Sequence, residues 1–192
     1  MQTQDDWLEE DEEPDEDKSP IGLLFAALNL SDDTHIDQEV HGLFKRLGLK
    51  LKPRPLHTDF MYNGKTFNSN LPGRHLCHEL AHWLIASENR RNLPEFGLGA
   101  GPESDWDVAE EVKIVSSHAA EEEEKLAALL GILIQHHLGL PVGGMFDEIY
   151  SLGFGEPFEF PSHDPFISLA WEDLVDMKLI DKNGFPRVLL DL

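Results

Sequence analysis

Apolar residues recur at helical spacing over most of the chain, and strand-like alternation is scarce. Ile36, Val40, Leu43, Phe44 and Leu47 form one stripe, preceded by the cap-and-turn cluster Ser31-Asp32-Asp33 and closed by Gly48. Leu76, Leu80, Trp83 and Leu84 form a second, which predicts a helix over 75–87. A third long helix is predicted over about 107–138, with a break marked by Ser116-Ser117. Its latter half carries Leu126, Leu129, Leu130, Leu133 and Ile134, and Gly139, Pro141, Gly143 and Gly144 end it.

Shorter elements fill the remainder. Pro20 opens an apolar run, Ile21–Leu30, that suits a short helix. After the break Lys52-Pro53-Arg54-Pro55, the segments Asp59–Tyr62 and Lys65–Phe67, divided by Asn63-Gly64, predict a small hairpin. A loop runs from about 92 to 102. The last fifty residues predict a helix over about 167–178 and a short strand, Val188–Leu190. The pattern describes a mainly α fold with a small β component (α+β). It places one domain over 20–192 behind an acidic tail at 1–19 that buries too little apolar surface to order itself.

Composition sharpens this picture at three points. Hydrophobic residues make up 41% of the 192, enough for a core. The formal charge of −22 disfavours nucleic acid as a partner, because phosphate contacts need clustered Lys and Arg. Ten acidic residues between Asp5 and Asp17, offset by Lys18, put −9 of that charge in the tail. A single cysteine, Cys77, permits no internal disulfide. With no signal-like start and no apolar run long enough for a bilayer, the reading is a cytoplasmic protein without a membrane partner.

The candidate chemistry lies in His78-Glu79-Leu80-Ala81-His82. The i, i+4 spacing puts both imidazoles on one helix face, close enough to chelate one divalent cation. Glu79, about 100° around from His78, can reach a metal-bound water as a general base. Two histidines leave the shell open, so a third ligand is required. The richest source is Glu121-Glu122-Glu123-Glu124, although acidic residues opening a helix ordinarily favour its dipole or form a solvated face. Only one of them need point inward. Periodicity places Glu122 on the core side, with Glu121 and Glu124 flanking it, and does not choose among them. His75, one turn before His78, is a further candidate; His118, His136, His137 and His163 are dispersed, and the adjacent pair His136-His137 points two ways. Cys77 is expected to pack in the core.

The run Leu76–Ala86, then Arg90-Arg91, then Glu95-Phe96-Gly97, resembles the elongation factor P hydroxylase family, which has a histidine-glutamate motif followed by Ala-His-Trp, a paired arginine and a Phe-Gly. The resemblance covers roughly 60 to 145 and places Glu121 and Glu124 on two acidic positions of the family's second motif. Where that motif continues Lys-Pro-Gln, this chain has Lys125-Leu126-Ala127-Ala128. Glu121 also fits the third-ligand position of ImmA/IrrE-type metallopeptidases. The expected metal ligands are thus His78, His82 and Glu121, with Glu79 catalytic and Glu124, Glu122 and His75 as additional candidates, on a zincin-like HExxH helix packed against a second, Glu-bearing helix.

Two histidines and a carboxylate suit two reactions. With Fe(II) they resemble the facial triad of oxygenases, which implies hydroxylation of a protein side chain; the acidic surface suits a cationic, lysine-derived target. With Zn(II) and Glu79 as base they give peptide hydrolysis. A third reading is a non-catalytic scaffold that binds partners through its acidic tail.

Overall fold

The structure, a computed structural model, describes residues 36–101, 104–140 and 165–190. Five helices and one small sheet make up these residues: α1 (Ile36–Arg46), β1 (Leu51–Lys52), β2 (Phe67–Asn68), α2 (Gly73–Ile85), α3 (Trp106–Glu111), α4 (Ser117–His137) and α5 (Pro165–Asp176). The fold is mainly helical with a minor β component. The helix expected at 21–30 and the acidic tail lie outside the described residues. Among the described residues no helix is long and apolar enough to cross a membrane.

The packing order follows the stripes. The broadest contact joins α2 to α4, with α1 laid against α2 and α5 against α4. Leu76, Cys77, Leu80 and Ala81 of α2 and Ala127, Leu130, Leu133 and Ile134 of α4 are all almost fully buried, as are Val40, Leu43 and Phe44 of α1. Burying each such leucine contributes roughly 1.5–3 kcal/mol. Gly131 sets how closely the central helices approach. A Cβ there would stand 3.1 Å from the His78 Cα and 3.2 Å from its nitrogen, so α4 rests on the α2 backbone at the level of the motif.

Local chemistry explains the helix ends. α1 stops where Gly48 takes a left-handed turn (φ 70°) and its N–H donates to the Lys45 carbonyl. The helix expected over 107–138 is divided. Val112–Val115 separate α3 from α4, and the Ser116 hydroxyl caps α4 by accepting from the Ala119 N–H at 3.3 Å. The end of α2 is capped by Arg91. Its guanidinium donates to the Trp83 carbonyl (2.6 Å) and the Leu84 carbonyl (3.1 Å) and stacks 4.2 Å from the Trp83 ring.

Two expected β elements come out differently. The turn at Asn63-Gly64 forms, and Tyr62 and Phe67 make an antiparallel bridge across it. The regular pairing, however, is parallel: Leu51 opposite Phe67 and Lys52 opposite Asn68. The antiparallel run across the turn is short, Asn63 N–H to the Thr66 carbonyl and Asn68 N–H to the Met61 carbonyl, and the Arg54 guanidinium donates to the Phe60, Met61 and Thr66 carbonyls beside them. The strand expected at Val188–Leu190 is a 3₁₀ turn, Arg187–Leu189, closed by Leu189 N–H to the Pro186 carbonyl. Its Leu190 N–H is taken by the Arg187 carbonyl within the same turn, while Arg187 N–H bonds the Leu179 carbonyl beside the Ile180–Pro186 bridge.

Candidate metal centre

Because Leu76, Leu80 and Ala81 turn into the core, His78 and His82 come out on the flank of α2 that faces the first turns of α4. Their Nε2 atoms lie 3.0 Å apart with the rings nearly perpendicular, at 84°. Glu124 meets both. Its Oε2 is 3.2 Å from His78 Nε2, and its Oε1 is 3.4 Å from His82 Nε2. His78, His82 and Glu124 form a group able to offer three ligand atoms to one cation.

The carboxylate that meets both histidines is Glu124, one of the additional candidates, and not Glu121. Glu121 is exposed, and so is Glu122, whose carboxylate pairs with Lys125 instead of turning to the core. The buried stripe of α4 runs through Glu123, Ala127, Leu130 and Ile134, which turns Glu123 and Glu124 toward α2 and leaves the two preceding glutamates outside. His75 stays outside the group of three, although its charge helps to lower the His78 ring.

Glu123 is the residue that the sequence pattern did not single out. Its Oε1 lies 3.3 Å from His82 Nδ1, and Arg90 donates to both its oxygens at 2.7 and 2.8 Å. Arg90 also donates through Nε to the Phe96 carbonyl at 2.9 Å. Glu95, Phe96 and Gly97 all have positive φ (45°, 53° and 71°). For the two non-glycine residues this costs on the order of 1–3 kcal/mol each, and surrounding bonds must hold it. The Glu95 carboxylate supplies two, accepting from the Met61 N–H (2.6 Å) and the Ser104 hydroxyl (2.8 Å). The pairing Arg90-Arg91 and the Glu95-Phe96-Gly97 run were visible in the sequence. Their geometry was not, because left-handed turns of non-glycine residues have no periodic signature.

The charges of the site follow from these contacts. Burial opposes ionisation of Glu123, but hydrogen bonds from His82 and Arg90 outweigh it and hold the carboxyl below its usual value. Burial likewise opposes ionisation of Glu124, and the His82 charge and bonds from both histidines overcome it. Burial disfavours a charged His82 too, yet Glu124 and Glu123 reverse this and push it up to about 10. His78 goes down, chiefly through burial. Glu79 is 3% exposed; burial raises its carboxyl, with Glu95 and Glu124 adding and His82 opposing. Glu95 is raised in the same way. Cys77 packs in the core, its thiol pushed up to about 12 by burial.

These features fit a divalent cation. An ionised Glu123 can only accept, so His82 Nδ1 carries a proton, and once a cation displaces the second ring proton the Nε2 lone pair would face His78 and Glu124. Two imidazole nitrogens and a carboxylate thus converge with edges of 3.0, 3.2 and 3.4 Å. Bond lengths near 2.1 Å imply donor–donor edges of about 3.0 Å for right-angle coordination and about 3.4 Å for tetrahedral coordination. The side chains of His78 and Glu124 are 20% and 39% exposed against 4% for His82, so the approach to the group is from their side. No family model matches the chain, and no curated protein or solved structure matches it.

Proposed function

We propose that the chain is a metal-dependent enzyme in which His78, His82 and Glu124 hold one divalent ion, Fe(II) or Zn(II), in a cytoplasmic setting. On this reading α2 and α4 form a zincin-like pair, an HExxH helix against a Glu-bearing helix. The observation that carries it is the convergence of two histidine Nε2 atoms and the Glu124 carboxylate at 3.0–3.4 Å.

The reaction we put first is oxygen-dependent hydroxylation of a protein side chain. Two histidines and one carboxylate leave coordination positions for dioxygen and substrate when iron is bound. The sequence resemblance around Leu76–Gly97 supports the same chemistry. The formal charge of −22 suits a cationic, lysine-derived target. His78 and His82 would hold the ion, Glu124 would complete its anchoring, and Glu79 would act on protons beside it. The test is anaerobic loading with Fe(II), followed by oxygen, a two-electron reductant such as ascorbate and a lysine-containing protein substrate, so that one oxygen atom enters the substrate C–H bond and the other leaves as water. The expected product has gained one oxygen atom; loaded protein that consumes no oxygen and modifies nothing argues against the proposal.

A second reading, zinc-dependent peptide hydrolysis, is favoured by Glu79. A buried carboxyl raised toward neutral pH, next to the metal ligands, has the proton affinity wanted of a general base. Glu79→Gln should then abolish hydrolysis while sparing zinc binding, and unchanged hydrolysis would reject this reading.

A further inference from the structure

We propose that Arg90, Glu123 and the left-handed turn at Glu95–Gly97 form an outer clamp that fixes His82 with Nδ1–H held and Nε2 turned into the metal centre. This rests on reading His78, His82 and Glu124 as metal ligands, and it assigns positioning roles to residues that touch neither metal nor substrate.

The geometry closes a circuit around one imidazole. Nδ1 of His82 donates to Glu123 Oε1 at 3.3 Å, and that same oxygen accepts from Arg90 Nη2 at 2.8 Å. Arg90 Nη1 takes the other oxygen at 2.7 Å, so the carboxylate plane is held by a two-pronged bond rather than a single pivot. Arg90 Nε then reaches the Phe96 carbonyl, and the Phe96 ring returns to His82, stacked at 24° with centroids 5.8 Å apart. His82 is thereby held at its edge by Glu123 and at its face by Phe96. The turn that delivers both Phe96 contacts is fixed in place by Glu95 N–H to the Tyr62 carbonyl at 2.8 Å and by the Glu95 side-chain bonds.

A buried ion pair serving stability alone would explain the bond between Arg90 and Glu123. It does not require the pair to share an oxygen with His82, and buried pairs are in any case weak stabilisers. A partner on the distal nitrogen of a metal-bound histidine sets which nitrogen is free to bind and holds the ring in place.

The clamp is tested in the full chain with Glu123→Ala, Glu123→Gln, Arg90→Lys and, as an exposed control, Glu122→Ala. Zinc affinity is read by chelator competition, and the His82 Nδ1–H by proton–nitrogen correlation in ring-labelled protein. Glu123→Ala is expected to weaken zinc by about 10- to 100-fold and to lose the slowly exchanging Nδ1–H signal. Glu123→Gln, which keeps an acceptor oxygen, should fall between it and the parent, and Glu122→Ala should change neither readout. Folded Glu123→Ala with the parent's affinity and the parent's Nδ1–H signal would overturn the proposal. If Glu123→Ala does not fold, Glu123→Gln and Arg90→Lys decide by the same two readouts. If the parent binds no zinc or iron, the metal reading fails. The Nδ1–H signal of the metal-free protein then judges the clamp alone: loss of the signal in the variants supports it, and persistence overturns it.

Discussion

α4 meets a pair of histidines near each end, and of the two pairs only His78 and His82 converge with a carboxylate. Against its first turns stand His78 and His82, four residues apart on α2, with Glu123 and Glu124 opposite. At its last turn are His136 and His137, adjacent in sequence, with ring centroids 5.1 Å apart and planes at 71°. Adjacent residues on a helix diverge by about 100°, so their nitrogens do not converge. His137 packs on Phe185 instead, at 4.6 Å. Burial lowers both of these rings, whereas carboxylates lift His82 to about 10 despite burial. The difference teaches that spacing supplies the chelate and the facing helix supplies the charge.

The contrast can be broken most severely by removing Glu124. Glu124→Ala should cost more in metal affinity than the 10- to 100-fold typical of an outer partner, measured by chelator competition. Glu121→Ala, on an exposed position, should leave affinity unchanged. Enlarging Gly131 is the next largest change. Gly131→Leu must push α4 off the His78 backbone, and should destabilise by about 1–3 kcal/mol in denaturant titration while weakening metal binding. A stable variant with unaltered metal affinity would mean that the close approach of the helices is incidental.

The two pairs should also respond to pH with opposite signs. Without metal, a folded value for His82 above the unfolded 6.5 gives stability that is fully present below that pH and lost as the pH rises toward about 10. His136 and His137 are lowered, so their end of the molecule loses stability as the pH falls through about 6.5. Denaturation curves across this range should therefore lose part of their alkaline decline in His82→Ala, the buried Glu79 and Glu95 carboxyls supplying the rest, and part of their acid decline in His137→Ala. Because metal must displace the His82 proton, affinity should rise by up to about tenfold per pH unit between neutrality and pH 10. The smallest expected effect is at Cys77, whose buried thiol should resist labelling until the protein unfolds.

The sequence made the helices of this arrangement legible because their apolar stripes repeat at helical spacing, and the histidine pair legible because i, i+4 needs no tertiary information. Four consecutive glutamates hid which carboxylate meets the two histidines. One of every four helical positions faces a given neighbour, and which one does so depends on how α2 crosses α4 at Gly131, a fact of packing. Glu123 and Arg90 were harder still. Their roles depend on a turn with positive φ at Glu95 and Phe96, which propensity argues against and which bonds to Met61, Tyr62, Arg90 and Ser104 help to hold. The hairpin expectation caught the antiparallel bridge at Tyr62 and Phe67 but not the parallel partner Leu51–Lys52, because pairing with a strand across a break leaves no mark on an apolar pattern.

The most direct test of the central claim is metal content by mass spectrometry. It would compare the protein purified anaerobically with His78→Ala/His82→Ala and His136→Ala/His137→Ala variants. The account predicts one iron or zinc per chain in the parent and in the His136/His137 variant, and none in the His78/His82 variant. Equal metal in all three, or none in the parent, would contradict it.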